Sequence, residues 1–419
     1  MNSAMRIFLL LPLLPLPAVA QSAVELVKDL NTLSLKPPAS HPGDFMVVGG
    51  KLFFLATKEG IGEELFCCTA TKGTSRLVKD IRPNTGTSHT LLGKIRKQLI
   101  FAGARPKEGK ELWISDGTTK GTYLLKDLTP GTGSTTFTDP CPMGGKLYFN
   151  ADDGKHGKEL WVTDGTTAGT VMVRDIGAGQ VGSDPRDLCA MGGLLYFSAN
   201  YLTSGRELWC SDGTAKGTRI LIDLRPGLGS SGISYLTATD RHLFFTADDG
   251  TNGRQLWRSD GTITGTFLLK KIHPQGNHQI RPFRGLSTFH AWSQGVLFLA
   301  DDGTHGKEIW QSDGTKAGTK MLADLNPGPG IFTAEQPVNL GGKVYFSGQQ
   351  VRVGSNILWV TDGTVAGTKP ISTTGIDIKR MVAAGPLLFI NGSEYNTYKR
   401  RELHLCDTST STLKLLTET

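Results

Sequence analysis

The sequence predicts an all-β chain folded as a β-propeller, most simply of eight blades with four antiparallel strands each. Three observations predict it. One long motif returns along the chain with a period near 48 residues. Short apolar runs bounded by glycine surround every copy. No segment sustains the 3.6-residue period of an amphipathic helix. Composition agrees: 53 Gly and 20 Pro make a turn-rich chain of 419 residues, while 38% hydrophobic residues are enough for a packed core.

The motif is Glu111-Leu112-Trp113-Ile114-Ser115-Asp116-Gly117-Thr118, followed at a short distance by Gly121-Thr122. It recurs at Glu159 to Thr166, Glu207 to Thr214, Gln255 to Thr262, Glu308 to Thr315 and Ile357 to Thr364, each with its own trailing Gly-Thr. Degenerate copies flank the array at Glu64-Leu65-Phe66 and Glu402-Leu403-His404. The tryptophan positions or their equivalents fall 45 to 53 residues apart, giving eight units.

Each unit reads as four strands. A weak segment such as Thr136 to Met143 comes first, then a Gly-Gly turn such as Gly144-Gly145. An aromatic and branched run follows, for example Lys146-Leu147-Tyr148-Phe149, closed by an Asp-Gly turn such as Asp153-Gly154. The motif itself supplies the third strand. The fourth is a run like Leu124-Leu125-Lys126-Asp127-Leu128. Four strands in 40–50 residues, repeated, is the pattern of a propeller blade, whose faces are covered only when blades stack. The motif tryptophans Trp113, Trp161, Trp209, Trp257, Trp310 and Trp359 are therefore expected between blades as packing residues.

The repeat resembles the ELWxxDGT repeat family of secreted bacterial proteins, on Glu111 to Thr122 and its counterparts. That resemblance implies a secreted, propeller-like β-protein and implies no particular reaction. Units 1 and 8 depart from the motif, with Cys68-Thr69-Ala70 and Cys406-Asp407-Thr408 where Ser-Asp-Gly is expected.

Residues 1–20 read as a secretory signal peptide: Arg6, an apolar stretch from Ile7 to Leu16, and Ala18-Val19-Ala20 before Gln21. Ten apolar residues are too few to span a bilayer, and no other stretch reaches about 18, so no membrane span is expected. The expected location is periplasmic or extracellular. Residues 21–40 form an N-terminal strand and linker, and 41–419 the eight-unit propeller. Val24 to Leu30 matches the fourth-strand pattern and is expected to pair with blade 8 at the ring seam, in competition with Leu413 to Leu416. Because units 1 and 8 alone carry a cysteine before the motif aspartate position, a disulfide from Cys406 to Cys68, or to Cys67, is a further expectation.

Candidate chemistry is sparse. No Gly-x-Ser-x-Gly, His-Glu-x-x-His or phosphate loop occurs, so no catalytic residue is assigned. Cys-x-x-Cys is absent, and zinc is not expected. Calcium at the Asp-Gly turns would need carboxylates at alternate positions. These turns supply one or two acids, which favours plain turn chemistry and no cofactor. The repeated motif glutamate is read as structural, since catalysis needs a unique constellation rather than near-identical copies. Cys141 and Cys189 each lie three residues before a Gly-Gly, in neighbouring units.

Function is sought where the repeat breaks. The connection between units 5 and 6 is the longest and holds His273, His278, Arg281, Arg284, His290 and Trp292. Lys155, His156 and His305, in the second-to-third strand turns, join them as candidate binding residues. With a net charge of +7, such a face suits an anionic glycan or an acidic protein. Nucleic acid is not expected, because no basic stripe interleaves with aromatics. The expectation is a secreted, non-enzymatic scaffold binding a protein or glycan through its loops. The alternatives are a propeller enzyme acting on a polysaccharide, or a structural surface protein.

Overall fold

The computed structural model describes residues 42–69, 75–82, 89–274, 280–350, 356–371, 376–394, 402–407 and 412–415. The expected signal peptide at 1–20, the expected seam strand at 24–30 and His278 lie outside them. The fold is all-β: eight four-stranded antiparallel sheets, arranged as the blades of a propeller, with one turn of 3-10 helix at Gly179–Val181 among the described residues. The blades span 43–79, 90–126, 137–174, 186–222, 234–270, 290–323, 332–370 and 376–415, and in each the strands lie side by side in chain order. No helix of the described residues is long and apolar enough to cross a membrane.

The chain divides into two compact units. One comprises the described residues of Pro15–Leu202 with Cys210–Arg219, the other those of Thr203–Trp209 with Ile220–Thr419. Each is taken by itself below.

Within a blade the strands differ by position. The second strand is a continuous apolar run and is buried on both faces, as in Lys146–Asp152, where five successive residues are buried. The third strand behaves alike because its sheet faces are also covered by neighbouring blades. The fourth is an edge strand and alternates, with one buried residue in Val171–Arg174. All six motif tryptophans are buried, from 1% exposed at Trp113 to 8% at Trp257. Trp113, Trp161, Trp310 and Trp359 sit in cores shared by successive blades. Trp113 packs with Phe53 and Leu55 of blade 1, and Trp161 with Ile100 and Ile114 of blade 2.

The polar half of the motif has an equally specific use. Asp116 Oδ1 accepts from the backbone and hydroxyl of Thr118 at 2.8 and 2.7 Å, and Thr118 Oγ1 accepts from Gly121 N at 2.9 Å. A side chain at Gly121 would collide with the Asp116 carboxylate, so glycine is required there. The Asp-Gly-Thr carboxylates are consumed by their own turns. Among the described residues no three His, Cys, Asp or Glu side chains gather into a metal site. The completed turn docks on the preceding blade. Lys79 Nζ donates to Thr122 O at 2.7 Å, Lys126 Nζ to Thr170 O at 2.8 Å and, in the other unit, Lys270 Nζ to Thr319 O at 2.7 Å.

The motif glutamate is fully buried and clamps the connection to the next blade. Glu111 accepts from Leu128 N and from the Thr135 hydroxyl, at 2.8 and 2.9 Å. Glu159 accepts from Gly177 N and Ser183 N, Glu207 from Leu224 N and Ser231 N, and Glu308 from Leu325 N and Asn326 N. Blade 5 carries Gln255 instead, whose Oε1 accepts from Ile272 N at 2.9 Å.

Cys68 and Cys406, the cysteines expected to meet at the seam, are both buried and carry no disulfide here, Cys68 packed with Leu52 and Phe54 of blade 1 and Cys406 with Leu388 and Ile390 of blade 8. The slot before the motif aspartate belongs to the doubly covered third strand, so a cysteine there serves its own blade as a small apolar residue.

Candidate functional site

The first strand of a typical blade carries a β-bulge whose extra residue has a positive φ. Asp139 (54°) and Asp187 (56°) occupy it in blades 3 and 4, Tyr235 (62°) in blade 5 and Gln336 (54°) in blade 7. A bulge aspartate ties neighbouring first strands together: Asp139 Oδ1 accepts from Asp187 N at 2.9 Å. Aspartate suits the place, since its short side chain tolerates left-handed backbone and accepts from nearby amides.

Blade 6 breaks this pattern. Arg281 pairs with Leu299 of the second strand through two 2.8 Å backbone bonds, and the regular first strand resumes only at His290–Trp292. Residues 282–289 bulge out between them as an eight-residue excursion. Two phenylalanines hold it at both ends. Phe283 is fully buried in the core of blades 6 and 7, 5.6 Å edge-on to Phe346. Phe289 is buried in the core of blades 5 and 6, against Phe298 at 5.4 Å and Tyr235 at 5.8 Å. The backbone is fixed as well. Arg284 N donates to Ala334 O of blade 7 at 2.7 Å, Phe289 N to Thr237 Oγ1 at 2.9 Å, and Leu286 N closes a turn on Phe283 O through Gly285, whose φ is +84°.

The excursion walls a pocket of about 330 Å³. Arg281, Arg284 and Lys307 supply its charge. Tyr235, Pro282, Phe283, Leu286 and Leu299 supply apolar surface, and Thr333 a hydroxyl. Both arginines are solvent-exposed, whereas Lys307 is half-buried. Burial and the Arg281 guanidinium beside it hold the Lys307 ammonium below the ordinary lysine range, against the opposing pull of Asp301. Three cations converge on one concave, partly apolar site. An anion placed there would relieve their repulsion and take charge-assisted hydrogen bonds from the guanidinium forks.

Of the residues singled out in the sequence, Arg281 and Arg284 line the pocket. His290 lies just beyond it, with Nε2 2.7 Å from Asn339 Oδ1, and burial lowers its pKa although that bond opposes the shift. Trp292 is a core residue between blades 6 and 7. The His273 carbonyl accepts from Gln255 Nε2 at 3.0 Å and its ring rests over Gly303. His156 and His305 are each clasped by their own turns, Nδ1 to Asp153 and to Asp302 at 2.8 Å, and these carboxylates raise the histidine pKa values. Lys155 is an exposed turn residue whose amide donates to Asp153. None of the last three lines the pocket. Tyr235, Phe283 and Lys307 escaped the sequence reading. Lys307 hides in the repeat as the counterpart of Lys158, but Tyr235 was readable as the departure from Asp139 and Asp187.

No family model and no curated protein matches the chain. Solved structures do. A puromycin hydrolase aligns over 93% of this chain and 54% of its own, at 13% identity and a TM-score of 0.44. A prolyl endopeptidase aligns over 85% and 54%, at 11% and 0.46. The β-propeller domain of the Trilobed protease from Pyrococcus furiosus aligns over 90% and 97%, at 14% and 0.44. The chain thus spans about half the length of the hydrolases it resembles and nearly all of the isolated propeller domain. The likeness is one of fold. These comparisons correct the expectation of a non-enzymatic scaffold: the similar propellers belong to peptidases.

Proposed function

We propose that the chain is a recognition propeller that takes an anionic ligand, a carboxylate or phosphate ester, into the pocket walled by residues 282–289. The observation that carries this reading is the convergence of Arg281, Arg284 and Lys307 on one cavity built where the repeat is interrupted. A pocket of this size admits a small molecule or one end of a chain rather than an extended polymer. The apolar wall of Tyr235, Phe283 and Leu286 favours a ligand with an apolar body beside its charge.

The test is calorimetric titration with benzoate, phenyl phosphate and short peptides bearing a free C-terminal carboxylate, each against its neutral amide or alcohol. Binding of at least one anion, weakened at least about tenfold by Arg284→Gln, is expected, since a charge-assisted hydrogen bond contributes about 1.5–3 kcal/mol. Equal binding of the neutral partners, or no binding at all, would overturn the proposal.

Two further parts of the reading belong with it. The six motif copies support membership of the ELWxxDGT repeat family, and the pattern of Arg6 to Ala20 supports export to the periplasm or medium. Intact-mass measurement of the exported protein tests the second part: the mass of a chain starting at Gln21 supports it, and retention of residues 1–20 contradicts it.

A further inference from the structure

Cys141 and Cys189 hold the same place in two neighbouring first strands, Phe137–Met143 of blade 3 and Arg186–Met191 of blade 4. Each pairs with a tyrosine of its own second strand, Cys141 with Tyr148 and Cys189 with Tyr196. The two first strands run against one another inside a single compact unit. They are pinned two residues before the cysteines, where Asp187 N donates to Asp139 Oδ1 at 2.9 Å. Both thiols are free. They are close enough to feel one another, since charge on Cys141 raises the Cys189 pKa further.

The other cysteines lack this arrangement. Cys67 and Cys68 are consecutive on one strand, so their side chains leave on opposite faces, into separate cores. Cys210 lies on a third strand and Cys406 in blade 8.

We propose that Cys141 and Cys189 are a disulfide-forming pair, a staple that closes the joint between the first strands of blades 3 and 4. The oxidant is a small-molecule disulfide of the glutathione type. One cysteine thiolate attacks its S–S bond and expels one glutathione thiolate, which takes up a proton. The second cysteine thiolate attacks the protein-side sulfur of the mixed disulfide and expels the other glutathione. Two protein thiols are oxidised to one disulfide, and one glutathione disulfide is reduced to two thiols.

Burial sets when this happens. It pushes the Cys141 thiol up to about 11 and the Cys189 thiol up as well, so little thiolate exists in the folded, reduced chain. The bond therefore forms while the chain folds, and only slowly afterwards.

The experiment refolds the full chain with oxidised glutathione, alkylates remaining thiols and maps the peptides. The expected result is a linked Cys141–Cys189 peptide and a higher melting temperature than the reduced chain. Folded, reduced protein in the same oxidant should acquire the link far more slowly. Cys141→Ser and Cys189→Ser should each abolish the link while keeping the β-sheet circular dichroism. Alkylation of both thiols after oxidative refolding would overturn the proposal, as would their linkage to any other cysteine or to glutathione. Should either serine variant fail to fold, the wild-type peptide map decides alone.

Discussion

The joint between blades 3 and 4 and the stretch from blade 5 to blade 7 solve one problem differently. Both must tie first strands together across a bulge. At blades 3 and 4 a single bulge aspartate does so, through the 2.9 Å bond from Asp187 N to Asp139 Oδ1. At blades 5 to 7 the bulge residues are Tyr235 and Gln336, and the tie is made by an eight-residue excursion anchored on Phe283 and Phe289. The first solution is compact. The second uses two buried phenylalanines and five hydrogen bonds of the backbone to hold Arg281 and Arg284 over a cavity. Regularity serves architecture in this molecule, and its interruption builds the pocket lined by Arg281, Arg284 and Lys307.

That contrast can be broken at several depths. The largest effect is expected in the shared cores. Trp113→Ala removes a side chain only 1% exposed between blades 1 and 2 and should destabilise by about 3–5 kcal/mol, read as a lower denaturation midpoint. A loss below about 1 kcal/mol would mean that the motif tryptophan is not a packing residue.

Next comes the buried glutamate clamp. Glu159→Ala orphans the Gly177 amide and the Ser183 hydroxyl, while Ser183 N keeps its bond to Lys158 O, and should destabilise by about 1–3 kcal/mol for each unpaired donor. Glu159→Gln should cost much less, because Gln255 already makes the equivalent bond in blade 5. Equal losses for alanine and glutamine would show that the charge, not the acceptor, matters.

The clamp also carries a pH signature. Burial pushes Glu308 up to about 7, from 4.5, outweighing the amides of Leu325 and Asn326 that pull it down. A carboxyl whose folded pKa is raised favours folding when protonated. Its contribution is present below about 4.5 and is lost as pH rises through about 7. Glu111, Glu159 and Glu207 shift in the same direction, also through burial. Glu308→Gln should therefore lessen any decline in stability between about pH 5 and 8, measured by denaturant titration. An unchanged slope would contradict the burial assignment.

How much of this could be read beforehand follows from where the information lies. The blades were legible because the pattern around Glu111 to Thr122 is local and repeated, and each copy checks the others. The fate of the motif glutamate was half legible: its burial follows from sharing a face with tryptophan, but its partners Leu128 and Thr135 come from a connection without pattern. Arg281 and Arg284 stood out because they sit in the longest connection. Lys307 did not, since it occupies a repeated slot and gains its role only from what the excursion places beside it. The seam disulfide was not legible in the sequence, because a shared slot says nothing about reach between side chains.

The central claim is that the repeat holds the fold and its interruption holds the ligand. The most direct measurement compares two variants in one experiment, anion titration and thermal unfolding of each. Arg281→Gln with Arg284→Gln should lose anion binding and keep the melting temperature. Lys126→Met, which removes the bond to Thr170 O between blades 2 and 3, should lower the melting temperature and bind the anion as the wild type does. Retained binding in the double arginine variant, or binding lost in both variants alike, would contradict the account.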